Sequence, residues 1–539
     1  MKFRSEKEDI MEEYYGSIFN EVFGPIMIGT SSSHTAGPYR IGATARMLLG
    51  GEVQKARISF DPGSSYASYY KLQWSDRGFT AGLIGGRIDS DDMTDALEIA
   101  EEKGVDIQFV KEPKKNNHAN YAFMEMEGKD GGRLTLGTTS VGGGAIEIIE
   151  IDGFPIMIKG DFNAAFLYLD ETAEYSVVED GVKGIAELEF RMKESTAGGK
   201  RMLYFETREA LREAQLQKML ELPGVVNVRY TDHVLPVLSS FAYEDIPFRT
   251  AAQALEYGKA DHLSAGELGI RYEMARSGYT REKVMEMMQN IVSVMRRSAH
   301  VAIHNKTDEK IGELYPIKAT DMYESMQNKT VPVAELGILN ELVCVAIGIL
   351  EKVEQKRPDV VVASPTVGSV GILPAAVVQL GDRMGKSDEE IATAMFAAGC
   401  VGIFVAHQAT FGGEVAGCQA ECGSAGAMAA AGVAEMMGGT AQQAFTASAV
   451  TLQNVLGLIC DPVSVGYEPC NARNAMAVSN ALSSANMVLC GFSVQIPLDE
   501  TIIAMKEVGE QLPPCLKGTY GGLACTPTGQ KVAEICEGE

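Results

Sequence analysis

Three cysteines offer the most distinctive chemistry in this sequence. Cys418 stands in Ala416-Gly-Cys-Gln-Ala-Glu421, Cys460 in Leu458-Ile-Cys-Asp-Pro-Val463 and Cys470 in Glu468-Pro-Cys-Asn-Ala-Arg-Asn474. All ten cysteines fall between Cys344 and Cys536, so the first 343 residues contain none. A disulfide framework would not be so lopsided, and thiols gathered in one Gly- and Pro-punctuated region suggest a metal or iron–sulfur site in a reducing compartment. Spacings of 42 and 10 residues are too long for a zinc knuckle or a ferredoxin run. Three thiolates would leave one iron of a [4Fe–4S] cluster without a protein ligand, and such an iron is a Lewis acid. The competing reading is that these are small buried residues in an Ala/Gly-rich core, a common place for free cysteine.

A second group is Gly29-Thr-Ser-Ser-Ser-His-Thr-Ala-Gly-Pro38, which runs into a helical pattern at Tyr39–Leu49. Consecutive hydroxyl and imidazole side chains before a helix N-terminus make a donor-rich pocket suited to a carboxylate. A Ser-rich N-cap is the plainer alternative, but it leaves His34 unexplained. Two further loops are weaker. Ala363-Ser-Pro-Thr-Val-Gly-Ser-Val-Gly-Ile-Leu-Pro374 follows the strand-like Val360-Val-Val and reads as an anion loop or a tight turn. Ser140-Val-Gly-Gly-Gly144 reads as a flexible turn.

The elements that must position these residues divide by pattern. Up to about Gly144 short apolar strands such as Ala56-Arg-Ile-Ser-Phe-Asp61 alternate with helical stretches such as Met93–Lys103. A smaller unit follows, with strands at Ala164–Leu169, Arg201–Glu206 and Val225–Tyr230 and an amphipathic helix over Thr207–Leu222. From residue 251 the pattern is helix after helix: Ala251–Gly258, Ser264–Ser277, Thr280–His300 and Ala334–Lys356. Later helices are rich in Ala, Gly and Met, which lets backbones approach closely. The expected layout is an α+β N-terminal domain over 1–150, a small α+β segment over 151–238, a linker over 239–250, and a large all-α domain over 251–539.

At 539 residues the chain exceeds one core, and 46% hydrophobic with 22% charged residues is an ordinary globular composition. A net charge of −25 argues against nucleic acid and anionic membranes as partners. The start of the chain is charged and carries no apolar targeting core. The apolar run Ile391–Ala406, interrupted by Gly399 and Gly402, is short for a membrane span and reads as a buried helix. The expectation is a soluble, cytoplasmic protein.

Together the motifs resemble the bacterial iron–sulfur-dependent L-serine dehydratases, with β and α portions in one chain. The β-like pattern runs from Gly24-Pro-Ile-Met-Ile-Gly29 through the Ser-rich loop to Ser140-Val-Gly-Gly-Gly144. The α-like pattern runs from about Phe248 to Thr526-Pro-Thr-Gly529 and includes all three cysteine motifs and Gly521-Gly-Leu-Ala524. The segment between resembles an ACT domain. The resemblance implies a [4Fe–4S] cofactor on Cys418, Cys460 and Cys470, and a substrate-binding loop of Ser31, Ser32, Ser33, His34 and Thr35. It places Ser33, His34, Thr35, His118 and Thr366 as candidate catalytic residues. The implied reaction is elimination of water from L-serine without pyridoxal phosphate, followed by hydrolysis of the aminoacrylate to pyruvate and ammonia. Cys525 or Cys536 is a candidate to cap the open iron, and a homodimer is expected.

Several positions depart from the family pattern. Lys71-Leu-Gln-Trp-Ser-Asp76 stands where Lys-Gly-His-Gly-Thr-Asp is usual, so Gln73 replaces a histidine. His118-Ala-Asn120 replaces His-Pro-Asn, and His407-Gln-Ala-Thr-Phe-Gly-Gly413 replaces a hydroxyl-rich stretch. No Thr-Gly-Gly-Asp-Ala segment occurs between Asn305 and Asp321, and the usual Asp-x-x-Gly turn is missing around Glu171–Gly184. These changes leave open another small β-hydroxy acid or β-substituted amino acid as substrate, including a cysteine desulfidase-type reaction. A non-enzymatic cluster sensor and a structural zinc site are the remaining alternatives.

Overall fold

The computed structural model describes residues 15–114, 116, 118–186, 189–240, 246–312, 314–463, 467–518 and 521–537. It begins with a buried segment whose apolar residues Ile18, Phe19, Val22 and Phe23 belong to the core of the distant helical half. Strand β1 (Ile26–Met27) continues this excursion, pairing antiparallel with Val361–Val362. The chain then enters its own N-terminal layer. Helix Gly37–Leu49 packs on a six-stranded sheet made of β2 (Val53–Phe60), β3 (Asp106–Lys111), β4 (Tyr121–Gly128), β5 (Arg133–Gly142), β6 (Ala145–Ile151) and β7 (Phe154–Ile158). The strand order is β3-β2-β4-β5-β6-β7, with only β2 and β3 parallel. Alternating residues such as Ala122, Met124 and Met126 of β4 fill the core beneath the helix, as period-two patterning requires.

A second sheet follows, built from β8 (Asn163–Leu169), β9 (Phe190–Ala197), β10 (Lys200–Thr207) and β11 (Val225–Thr231) in the order β11-β8-β10-β9. Helices Tyr175–Ala186 and Glu213–Leu220 complete a β-α-β-β-α-β unit. The helix expected over Thr207–Leu222 is therefore shorter at its start. The Asn163 amide donates to the carbonyls of Thr207 and Arg208, which holds the chain extended past the end of β10.

The rest of the chain is dominated by helices, with short β pairings of Lys310–Ile311 with Tyr315–Pro316 and of Val361–Val362 with β1. Ala251–Gly258 and Ala265–Ser277 fall where the apolar spacing places them, and the hydroxyls of Thr250 and Ser264 cap their starts. Arg281–His304 extends one turn beyond expectation, and Leu339–Val353 is shorter than the expected 334–356. Of the expected linker 239–250, residues 241–245 lie outside the described set. Its flanks are anchored: Ser239 accepts from Arg276, and Phe248 packs 5.5 Å from the Tyr272 ring.

Helix Asp388–Gln408 forms the centre of this half. By length and composition it could cross a membrane, yet most of it is buried in the protein. It has small residues where neighbours must approach: a side chain at Gly399 or Gly402 would collide with Ile18 or Val22. A comparable close approach shapes the turn after Thr366. A methyl group at Gly371 would overlap the Ala346 carbonyl on helix Leu339–Val353. The Gly371 amide also donates to Asn474 Oδ1 at 3.1 Å.

Because backbone, not a flexible side chain, fills that space, Gly371→Ala should destabilise the protein by about 2 kcal/mol or more. Differential scanning calorimetry should show a lower unfolding midpoint for this variant than for an alanine placed at the exposed Gly184.

Candidate functional site

Loops from both halves of the chain meet around a cavity of about 140 Å³. From the N-terminal half come Thr30 to His34, Ser65 and Gln73; from the helical half come Glu354, Thr366, Glu414, Glu421, Cys460 and Cys470. No Lys or Arg lines it among the described residues, whereas three glutamates do.

The serine loop is shaped by its own hydroxyls. Ser31 caps a widened turn, Ser32–Ala36, by accepting the His34 amide at 3.1 Å, and the turn passes directly into helix Gly37–Leu49. The His34 ring is held on both sides, with Nδ1 3.0 Å from Ser33 Oγ and Nε2 2.9 Å from Ser65 Oγ. Tyr66 meets it edge-on with ring centres 5.2 Å apart. Burial lowers the His34 pKa to about 4, so the imidazole is neutral at physiological pH. Thr35 does not line the cavity. It is fully buried, and its hydroxyl donates to the Gln73 carbonyl at 2.8 Å, bracing the loop from behind.

The opposite wall is made of thiols and carboxylates. Donor atoms of Cys418, Glu421 and Cys460 all lie within 4.8 Å of one another. Cys418 is the acidic member: hydrogen bonds from Cys422 and Cys460, and the nearby Arg473 guanidinium, hold its thiol well below the usual range. Arg473 Nη1 stands 3.3 Å from Cys418 Sγ, while Nη2 pairs with Asp461 at 2.7 Å. Sharing a proton with Cys418, together with burial, pushes Cys460 up; burial, then the negative Cys418, pushes Cys470 up. Asn474 fixes Cys470 against the Gly368 turn by donating to the carbonyls of Gly368 at 2.8 Å and Cys470 at 3.0 Å. Cys460 is held in register by its backbone pairing with Leu516 and Gly518. A set of thiols, with Cys418 and Cys460 buried and Cys470 half-buried, one already favouring the thiolate, suits a thiophilic metal or iron–sulfur group.

Glu421 accepts from Thr366 Oγ1 at 3.0 Å, and burial followed by the negative Cys418 raises its pKa strongly. Glu354 is also pushed well up, by burial and by Glu351. Thus Ser31, Ser32, Ser33, His34, Thr366, Cys460 and Cys470 meet at one cavity, and Cys418 touches it through Glu421. His118 stands apart: it is exposed, and its Nδ1 accepts the Asn120 amide at 3.1 Å. His407 accepts the Gly16 amide at 3.2 Å and serves the N-terminal segment instead. Cys525 is exposed, and the side chain of Cys536 lies outside the described set.

Sequence reasoning missed Ser65, Glu354, Asp461, Arg473 and Asn474 as site residues and did not single out Glu421. Some were legible: Glu421 and Arg473 each follow a cysteine by three positions, and Asp461 is adjacent to Cys460. Glu354 sits in a Glu/Lys-rich helix end and carries no such signal.

Residues 212–524 match the family described as serine dehydratase alpha chain. The chain is 34% identical over 288 residues to a probable L-serine dehydratase alpha chain of Bacillus subtilis, covering 53% of this chain and 94% of that one. It is 35% identical over 290 residues to the L-serine dehydratase alpha chain of Peptoniphilus asaccharolyticus, covering 52% and 96%. It is also 32% identical over 223 residues to a probable L-serine dehydratase beta chain of Bacillus subtilis, covering 40% and 97%.

The folded His34 resists protonation while an unfolded histidine accepts a proton near pH 6.5, so its contribution to stability falls as pH drops from 6.5 to about 4. Ring ¹⁵N shifts of His34, identified by their loss in His34→Asn, should stay those of neutral imidazole between about pH 5.5 and pH 8. A midpoint inside that window would contradict the buried, doubly held ring.

Proposed function

Because this chain belongs to the serine dehydratase alpha chain family, we propose that it eliminates water from L-serine at this cavity, yielding pyruvate and ammonia. We further propose that Cys418, Cys460 and Cys470 hold a [4Fe–4S] cluster. The observation that carries this reading is the meeting of the serine loop with the thiol wall around one small cavity. Bound there, the cluster would supply Lewis acidity that makes the substrate hydroxyl a better leaving group.

The protein's own residues do the rest. Hydroxyls of Ser31 to Ser33 offer donors to the substrate carboxylate. Neutral His34, its Nδ1 3.0 Å from Ser33 Oγ, can take up a proton relayed through that hydroxyl when the Cα proton leaves. The Cα–H electrons form the new double bond as the β-hydroxyl departs, and the leaving hydroxide takes the proton held at His34 to become water. Aminoacrylate then tautomerises to an imine, and one water hydrolyses it to pyruvate and ammonia. Thr366 and Arg473 position Glu421 and Cys418.

Gln73 on the cavity wall favours a second reading, in which a different small β-hydroxy amino acid is the better substrate. Glutamine cannot act as a base where the family pattern has histidine. The β8–β11 unit we read as an ACT-like spacer without an effector, since its usual glycine turn is absent.

Anaerobically reconstituted protein should be brown and form pyruvate from L-serine in a dehydrogenase-coupled assay. Alanine at Cys418, Cys460 or Cys470 should each remove the colour and about four irons per chain, with circular dichroism unchanged. Full iron retention in two of the three variants would refute the ligand assignment. Faster turnover of another β-hydroxy amino acid than of L-serine would select the second reading.

A further inference from the structure

Glu354 occupies the C-cap of helix Leu339–Val353 and lines the cavity alongside Leu350. Its Oε2 is buried without a hydrogen-bond partner, and it is the one carboxylate oxygen in that condition among the described residues. Its acidic and basic neighbours are committed elsewhere. Glu351 accepts the backbone amides of Lys318 and Ala319, each at 3.0 Å, and Lys352 donates to the Asn305 carbonyl at 2.7 Å. Of the other cavity carboxylates, Glu421 already accepts from Thr366.

A buried carboxylate oxygen left unmatched costs free energy that a native fold does not retain without reason. Two features of its surroundings favour a cation there. The cavity holds three glutamates and no Lys or Arg among the described residues. Helix Leu339–Val353 also ends at Glu354, and the partial negative charge of a helix C-terminus attracts positive groups.

We propose that Glu354 binds the α-ammonium group of the substrate, making the cavity selective for amino acids over the corresponding hydroxy acids. The inference rests on reading this cavity as the substrate site and narrows its substrate class. The α-amino acid carries its carboxylate toward the serine loop and its ammonium toward Glu354, so a zwitterion finds both complements. A molecule lacking the amine would leave Oε2 as unpaired as it is now, and a site built around a polar partner rejects analogues that lack it.

The test is equilibrium binding to the reconstituted holoenzyme by calorimetry. The ligands are L-serine and 3-hydroxypropanoate, which is serine without its amino group. Wild type should prefer L-serine, and Glu354→Gln should weaken L-serine binding by about 10²-fold while changing 3-hydroxypropanoate by no more than about threefold. Iron content and unfolding midpoint equal to wild type would show that the substitution left the fold and thiol wall intact. Equal losses for both ligands, an unchanged L-serine affinity, or no binding of either to wild type would overturn the assignment. Turnover separates the two readings. Glu354-dependent binding of L-serine without pyruvate formation would sink the dehydratase proposal alone. Pyruvate formation with wild-type binding in Glu354→Gln would sink this inference alone.

Discussion

The site depends on the docking of Tyr15–Phe23 into the helical half. The two walls of the cavity come from opposite ends of the chain, and this segment is the physical tie that brings them together. Ile18 and Val22 occupy the space left by Gly399 and Gly402. Glu273 accepts the Ser17 hydroxyl and the Ile18 amide, both at 2.7 Å. Arg276, one turn on, donates to the Tyr15 and Leu238 carbonyls and to Ser239 Oγ, so one buried guanidinium ties the N-terminal segment to the chain after β11. Burial raises Glu273 to about 7, against the opposing pull of Arg276. Such buried groups stabilise little by themselves, but removing one partner leaves the others unpaired. They specify where the segment sits, and the apolar contacts supply the driving force.

The docking has a direct consequence for electrostatics. It encloses thiols and carboxylates together with neutral hydroxyls and a neutral imidazole, and the Arg473 guanidinium beside the thiols is spent on Cys418 and Asp461. In that setting the negative charge concentrates on Cys418, while Glu421, Cys460 and Cys470 resist ionising. The two sides of the cavity are thus chemically distinct: one can bind a positively charged centre, and the other offers uncharged donors.

Legibility in the sequence followed the range of the interactions involved. The helices Ala251–Gly258 and Ala265–Ser277 were visible because the apolar period is local. The cysteine wall was visible because each thiol sits in a short ordered motif. The start of helix Glu213–Leu220 was not, because Asn163, distant in sequence, holds Thr207 and Arg208 extended. The retreat of Thr35 from the cavity was equally hidden, since it depends on a carbonyl at Gln73. Glu354 was hidden for the same reason. A helix-end glutamate is ordinarily solvated, and only its place at the cavity wall makes this one a buried, unmatched acid.

That contrast separates the polar groups that hold the fold from those that await a partner. Glu273, Arg276, Asn163 and Glu351 are buried or partly buried, and each meets donors or acceptors within its own protein. Glu354 lies within the same helical half but has no such match for Oε2. A sequence optimised for stability alone would place an apolar residue or a cation there. Keeping an acid at the wall of a small cavity that no Lys or Arg lines among the described residues is a local loss of stability, recovered when a cationic group enters. Glu273, Arg276, Asn163 and Glu351 are therefore matched within the free protein, whereas Glu354 Oε2 is left for a group that comes from outside it.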